Sequence, residues 1–197
     1  MTNPALVVKK PASLAALAVV LLVAADASAV ERQWQVGGGL GYSYVKRGAY
    51  SGASVGPAFH LSYGLTDMFN LLVETSHTPV TLEGTLPTGE EGKLPRTYAL
   101  QTATTGLAYT LDVVRIVPYA AVLVGGSRMS GGQKTIGAFR GTEGIDYRVD
   151  LVLALGADYQ ITRDLAVGLA FRAHEMPGHD NQLSTQAVLR AGYVWGW

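Results

Sequence analysis

The 197-residue sequence contains no cysteine, and charged residues make up only 15 % of it. Without cysteine the chain has no disulfides and no thiolate metal sites. Basic and acidic residues are equal in number, so no basic surplus points to a nucleic-acid partner. After residue 30 there is also no apolar run of the about 20 residues that a membrane-spanning helix needs. A chain that is 48 % hydrophobic must therefore place its apolar residues in another way.

The first 29 residues have the pattern of a secretory signal peptide. Residues 9 and 10 are lysines, residues 12–25 are apolar, and small residues at 27 and 29 form a cleavage site. The apolar stretch is too short for a transmembrane anchor, and Asp26 ends it. We predict cleavage after Ala29 and export of residues 30–197 as one domain.

Apolar residues after residue 30 recur at every second position, which is the periodicity of β-strands. In the first such segment Trp34, Val36 and Leu40 share one face, and glutamine, glycine and serine fill the other. The pattern predicts eight strands, near residues 33–45, 53–65, 69–78, 98–110, 115–128, 147–159, 165–174 and 186–197.

Two of these segments have an uncertain phase. In residues 98–110, placing Leu107 and Tyr109 on the apolar face also places Gln101 there, which predicts a β-bulge or a change of phase. The pattern of residues 115–128 does not fix their phase either.

The connections between the predicted strands alternate in length. Short ones, near residues 63–67, 109–112 and 159–164, each begin with a tyrosine and contain a turn-forming aspartate. Long ones, at residues 46–52, 79–96, 129–144 and 176–182, have the composition of solvated loops. Hairpins with tight turns at one end and long loops at the other predict an all-β, eight-stranded antiparallel up-and-down barrel.

The two strand faces differ in a way that indicates lipid outside the barrel. One face is aliphatic and aromatic, and the other is mostly glycine and alanine with a few charges. A soluble lipocalin-like barrel would bury the large residues and expose lysine and glutamate, but this aromatic set is too bulky for so small an interior. A barrel in lipid closes on itself, and eight strands with short periplasmic turns are typical. We predict a transmembrane β-barrel in the outer membrane.

The opening strand "QVGGGLGYSYV" and the closing strand "LRAGYVWGW" resemble those of small Gram-negative outer-membrane β-barrels, the OmpA/OmpX-like class. The resemblance covers residues 30–197. It implies that the closing strand, with Tyr193, Trp195 and Trp197, is recognised by the outer-membrane assembly machinery. We expect a monomer in outer-membrane lipid whose outer loops bind a ligand that the sequence does not identify. Tyrosines beside the short turns are expected to add an aromatic girdle at headgroup depth: Tyr63, Tyr109 and Tyr159.

The same alternation places charged side chains inside the barrel, together with His60 and Gln186: Glu74, Arg148, Asp150, Asp158, Arg172, His174 and Arg190. A buried charge is costly unless it is paired, and eight strands enclose little more than their own side chains. We predict a polar network that plugs the lumen. The alternative is a narrow passive channel for small solutes, because inward glycine and alanine leave some room.

Three motifs bear on catalysis or metal binding. Residues 52–56 read G-x-S-x-G but lead into a strand, whereas the serine elbow needs a helix. His60 and Ser62 resemble the His-x-Ser pair of lipid A deacylases, yet they face the lumen instead of lipid. The segment from His174 to His179 contains Pro177 and Gly178, which forbid a zinc-binding helix. We predict no catalytic residues, no cofactor and no metal, with an outer-membrane lipid hydrolase as the third hypothesis.

Overall fold

The computed structural model describes residues 32–47, 50–83, 96–111, 115–130, 146–177 and 182–196. These residues form eight strands in one closed sheet, in which each strand pairs antiparallel with the next and β1 pairs with β8. The strands are β1 (Trp34–Arg47), β2 (Tyr50–Gly64), β3 (Phe69–Leu82), β4 (Arg96–Thr110), β5 (Ile116–Ser130), β6 (Asp146–Gln160), β7 (Leu165–Met176) and β8 (Gln182–Trp195). The predicted eight-stranded antiparallel barrel is confirmed. The predicted signal peptide lies outside the described residues.

The stagger of the strands gives the barrel its tilt. Following paired residues once around the sheet leads from Trp34 to Tyr44, ten residues further along β1. With eight strands, this stagger corresponds to a tilt of roughly 40°. Strands of 12 to 15 residues then rise far enough to cross the about 30 Å of a hydrocarbon core. None of the described segments includes a helix that is long and apolar enough to do so.

Three tight connections lie at one end of the barrel, which we call the turn end. Thr66 and Thr162 build two of them in the same way. The hydroxyl of Thr66 accepts a hydrogen bond from the backbone N–H of Phe69 at 3.0 Å, and that of Thr162 accepts one from Leu165 at 3.1 Å. This side-chain bond fixes the turn locally. The strand ends at Arg47, Leu82, Ser130 and Met176 lie at the opposite end, which we call the loop end.

The connection between β1 and β2 is shorter than predicted. Residues 46–52 were expected to form a loop, but Arg47 and Tyr50 are paired across the two strands. Ser51 and Glu83 also exchange backbone hydrogen bonds of 3.0 and 2.9 Å. Because Ser51 is paired on both edges, and Tyr50 and Gly52 are paired with β1, these residues extend the strand.

The predicted irregularity in residues 98–110 is wrong. β4 pairs residue by residue with β3, without a bulge. Gln101 does face outward with Leu107 and Tyr109, and its Nε2 lies 3.3 Å from Nδ1 of His77 on β3. This cross-strand contact gives the amide a polar neighbour while the ladder continues, so no change of phase is required. In β5 the phase is now defined, with Val117, Tyr119 and Leu123 inside.

The outer surface of the barrel carries large apolar side chains. In β6, Leu153 is 64 % exposed, whereas its neighbours Val152 and Ala154 are buried. Leu189 on β8 is 68 % exposed. A continuous apolar exterior around a closed barrel is matched by lipid and is unsuited to water. The predicted transmembrane orientation is confirmed.

The interior contains more large apolar residues than predicted. Mostly small ones surround the middle of the lumen, among them Ala154, Ala170 and Val188. A second cluster lies at the loop end and draws on five strands. We call it the loop-end cap: Val45, Val80, Leu82, Leu100, Met129 and Met176. The prediction of a small and polar inner face is therefore wrong at this end.

Candidate functional site in the lumen

The charged side chains that the sequence assigns to the lumen do lie there. Six of the seven are buried and Arg148 is half-buried. They come from β3, β6, β7 and β8, and the buried His60 and Gln186 join them from β2 and β8. How these groups contact one another determines what the lumen can do.

The first contact, nearest the turn end, is a two-point ion pair. Nε and Nη2 of Arg190 donate to the two carboxylate oxygens of Asp158 at 2.9 and 2.7 Å. The guanidinium carbon of Arg190 also lies 4.7 Å from the centre of the Tyr119 ring. Nε2 of Gln35 lies 3.5 Å from Asp158. The two hydrogen bonds to Asp158 and the contact with the Tyr119 ring hold the Arg190 guanidinium group in a fixed orientation.

The second contact crosses the barrel. Nη2 of Arg172 on β7 lies 2.5 Å from Oε1 of Glu74 on β3, and four strand positions separate these strands in either direction. Nη1 of Arg190 lies 3.9 Å from the same Glu74 oxygen. Glu74 therefore lies between two arginines. Arg172 is 2 % exposed and Glu74 is 4 % exposed.

A chain of hydrogen bonds continues from Arg172. Its Nη1 donates to Oε1 of Gln186 at 2.9 Å, and Nε2 of Gln186 donates to the hydroxyl of Ser43 at 3.0 Å. The hydroxyls of Ser43 and Thr78 are 3.1 Å apart. Together with the ion contacts of Glu74 and Asp158, these hydrogen bonds link five strands: β6, β8, β3, β7 and β1.

A separate pair lies closer to the loop end. Nδ1 of His174 is 2.9 Å from Oδ2 of Asp150, and Asp150 is fully buried. Beyond this pair come the apolar side chains of the loop-end cap. Apolar residues on the inward face at the loop ends of five strands are a sequence signal that could have revealed the cap.

Two glycines make room for the buried network. A Cβ at position 168 would lie 2.9 Å from Cγ of Asp158, and one at position 156 would lie 2.6 Å from Cζ of Tyr119. Both distances are too short for real carbon contacts. Gly168 and Gly156 therefore let the carboxylate and the ring approach the wall of the barrel.

Comparisons with known proteins agree on the fold. No family model matches the sequence, and no curated protein does. Neisserial surface protein A superposes with a TM-score of 0.60 at 15 % identity, covering 83 % of this chain and 97 % of that one. OprG from Pseudomonas aeruginosa gives 0.60 at 13 % identity, covering 86 % and 98 %. Ail of Yersinia pestis, in complex with the heparin analogue sucrose octasulfate, gives 0.58 at 13 % identity, covering 84 % and 99 %. The chain has the fold of the OmpA/OmpX-like outer-membrane barrels.

This fold and the apolar belt together confirm the predicted outer-membrane location of the barrel. Identities of 13 to 15 % carry the architecture only, so the function of the outer-membrane barrel has to be argued from its own residues.

Aromatic side chains of the outer-membrane barrel meet where its first and last strands close the sheet. The ring centres of Trp34 and Tyr63 are 4.6 Å apart, those of Trp34 and Trp195 are 6.4 Å apart, and those of Tyr193 and Trp195 are 6.0 Å apart. Phe69 and Tyr109 form a second pair at 5.4 Å, and Tyr159 is exposed at the same end. Trp197 lies outside the described residues.

The remaining motifs occupy positions that do not suit catalysis at a lipid surface. Residues 52–56 belong to β2 and continue its pairing. His60 and Ser62 point inward, and His60 is buried. His179 lies outside the described residues. Across the segments described, no three His, Asp or Glu side chains are grouped in a way that could hold a metal ion.

Proposed function

We propose that this outer-membrane barrel is a closed, non-enzymatic, monomeric scaffold that holds its loop-end segments outside the membrane for surface interactions. The observation that carries the proposal is the content of the lumen, where two barriers of different chemistry follow one another along the barrel axis.

The first barrier is the polar network around Glu74. Three buried side chains from β3, β7 and β8 meet in it, because Arg172 and Arg190 both approach the Glu74 carboxylate. Ions crossing this level would have to separate charges that are paired in a site of low dielectric constant, which is unfavourable. The interior of an eight-stranded barrel offers little room to pass around them.

The second barrier is the loop-end cap. Its six side chains are all at most 5 % exposed, and they offer no polar atom beyond two thioether sulfurs to replace the hydration shell of an ion. An apolar constriction of this kind excludes water and ions by dewetting. A narrow passive channel would require both barriers to be open at once.

Ion conductance in a planar lipid bilayer tests the closed lumen. We expect no discrete current steps from the unmodified protein. Because the barriers act in series, Glu74→Ala with Arg172→Ala is expected to remain closed, and so is Leu100→Ala with Met176→Ala. The quadruple variant is expected to conduct and serves as the positive control. Discrete steps from the unmodified protein would overturn the proposal in favour of the channel.

The hydrolase hypothesis has little support from the site. Its two residues, His60 and Ser62, lie on the lumen side of β2, where acyl chains in the surrounding lipid do not reach them. We expect lipid A that has been incubated with the barrel to keep all its acyl chains, as judged by mass spectrometry. Loss of an acyl chain that depends on Ser62 would instead establish an enzyme.

A role in surface interactions is supported by the architecture. Each strand of the wall is paired with a neighbour on both sides, and three connections between strands involve residues 83–95, 131–145 and 177–181. Loops on a rigid scaffold are the usual place for binding. One structural neighbour, Ail, is described as an attachment invasion locus protein and was solved with a heparin analogue.

Assembly through the closing strand is the second part of the proposal. Tyr193 and Trp195 are exposed on one face of β8, and Trp197 follows at the same two-residue spacing. We expect deletion of Trp197 to reduce the amount of barrel in the outer membrane, measured by fractionation and by the heat-dependent gel shift. Normal membrane levels of the truncated chain would contradict a role of this residue in assembly.

A further inference from the structure

Polar side chains form one row across the outer surface of the barrel, in its loop-end half. Each member faces outward and is paired with the next member on the neighbouring strand. We call it the interfacial row: His77 on β3, Gln101 on β4, Arg128 on β5 and Tyr147 on β6. Most other large side chains on the outer surface are apolar, so this row is a local exception that calls for a partner.

The interfacial row lies at the edge of the apolar band. On β1 the band runs from Trp34 to Tyr44, and these ten tilted residues rise roughly 25 Å, which is the usual height of such a band. When the stagger of the strands is followed from Tyr44, Gln101 lies at the same height. Side chains at this height meet the headgroups of the surrounding lipids.

The row presents hydrogen-bond donors and no carboxylate. Nε2 of Gln101 is 3.3 Å from Nδ1 of His77, and an amide nitrogen can only donate, so the ring proton lies on Nε2 of His77. The guanidinium carbon of Arg128 is 5.9 Å from the centre of the Tyr147 ring. Within the described segments Arg128 forms no ion pair with an acidic side chain. A cation beside two further donors is suited to an anion.

The outer surface is recessed next to the row, on the side toward the middle of the membrane. The next outward positions on three strands are small and are paired side by side, and larger side chains on β2 and β6 flank them. A Cβ at position 126 would meet only a backbone oxygen at 3.7 Å, so packing within the barrel does not require a glycine there. The recess is formed by Thr75, Ala103 and Gly126, between Phe59 and Val149.

We propose that the interfacial row binds the phosphate of a lipid headgroup, and that an acyl chain of the same lipid lies in the recess. Arg128, the second amide N–H of Gln101 and Nε2 of His77 would donate to the phosphate oxygens. With the loop end outside, as in the proposed function, this lipid belongs to the outer leaflet. Binding itself depends neither on that orientation nor on a closed lumen, so a conducting barrel would leave this inference standing.

The test uses the full chain, folded in maltoside micelles, and follows backbone amide shifts by nuclear magnetic resonance. Dihexanoyl phosphatidic acid is expected to give saturable shifts at the row and the recess. Two further probes are expected to bind roughly fivefold or more weakly. Dihexanoyl phosphatidylcholine has the same chains but no net charge, and inorganic phosphate has no chains.

Each probe can overturn a part of the proposal. Phosphatidylcholine binding as tightly as phosphatidic acid would overturn the anionic headgroup. Inorganic phosphate binding as tightly would overturn the lipid in favour of a free anion. The absence of saturable shifts with phosphatidic acid would overturn the site as a whole.

Charge substitutions locate the headgroup. Arg128→Gln removes the cation of the row and is expected to weaken binding of phosphatidic acid roughly fivefold. Lys46→Gln removes the same charge from the outward, exposed face of β1, and this matched control is expected to bind as the unmodified chain does. Equal weakening by both variants would mean general attraction of anions and would overturn the site. Unchanged binding in Arg128→Gln would overturn it as well.

A second pair of variants locates the acyl chain. Gly126→Leu fills the recess and is expected to weaken binding of phosphatidic acid roughly fourfold for each CH₂ group that loses its contact with the wall. Ala120→Leu, outward on the same strand but nearer the turn end, is the matched control. Unchanged binding in Gly126→Leu would overturn the placement of the chain. The heat-dependent gel shift verifies folding of all four variants.

Discussion

The buried polar side chains around Glu74, which we call the polar half of the lumen, and the loop-end cap fill the same barrel by different physical means. In the polar half, each buried charge has a named partner at a defined distance, as in the 2.7 Å bond from Arg190 to Asp158. In the cap, six apolar side chains pack together, and the polar contact they make is the 3.6 Å bond that the Met129 sulfur accepts from Arg47. The stability of the polar half depends on the direction and pairing of its hydrogen bonds and ion pairs. The stability of the cap depends on how well its side chains fill the available volume.

This difference predicts how each half responds to substitution. Removing one partner of a buried ion pair leaves an uncompensated charge, whereas replacing both partners by apolar groups can be nearly neutral. An apolar cluster instead tolerates side chains of equal volume and loses stability in proportion to the cavity created.

The largest expected effect is that of Glu74→Gln. This substitution keeps the volume of the side chain but leaves the Arg172 charge facing only the neutral Gln186. We expect the free energy of unfolding to fall by about 3–5 kcal/mol, measured by urea titration in lipid vesicles with tryptophan fluorescence.

Two companion variants sharpen this prediction. Arg172→Met is expected to cost less than Glu74→Gln, because Arg190 remains 3.9 Å from Glu74. Glu74→Leu combined with Arg172→Met should recover most of the lost stability, since it removes both charges. Equal losses in all three variants would show that packing, and not charge pairing, holds this level of the lumen.

The next effect is that of Met176→Ala in the cap. Met176 is fully buried, and truncation of a buried methionine costs about 2–5 kcal/mol, depending on how far the site collapses. Met176→Leu keeps the volume and is expected to cost less than about 1.5 kcal/mol. If the two variants lost equal stability in the same urea titration, the cap would not be held by packing.

The sequence predicted the fold and the polar half far better than it predicted the cap. Two-residue periodicity determines which face each residue occupies, so Glu74 and Arg172 could be assigned to the lumen from the pattern alone. Their pairing could not be, because it depends on the ten-residue stagger that brings β3 and β7 to matching heights. We assigned the apolar face of each strand to lipid. That rule overlooks apolar residues that face the lumen, such as Val80 and Met129.

The extent of β2 was missed for a related reason. Residues 46–52 have the glycine and serine content of a loop, but Ser51 is paired with a strand on each side. Hydrogen bonds on both sides hold such residues in a strand whatever their intrinsic preference.

The smallest expected effect tests how far pairing matters beyond the charges. Ser43 accepts a hydrogen bond from Gln186 and contacts the Thr78 hydroxyl, so Ser43→Ala leaves a buried amide without its acceptor. We expect a loss of about 1–2 kcal/mol in the free energy of unfolding. Its partner across the ladder, Ser54, makes a local bond to the backbone of Val55 at 3.5 Å and no other side-chain bond within the described segments, and Ser54→Ala should change stability by less than about 0.5 kcal/mol. The two serines are neighbours on the same inward face, but Ser43 is buried and Ser54 is half-buried, so a larger loss at Ser43 reports the cost of removing a buried hydrogen bond. Equal losses would mean that the hydrogen bonds of Ser43 add nothing to the free energy of unfolding. The polar half would then be stabilised by its ion pairs alone.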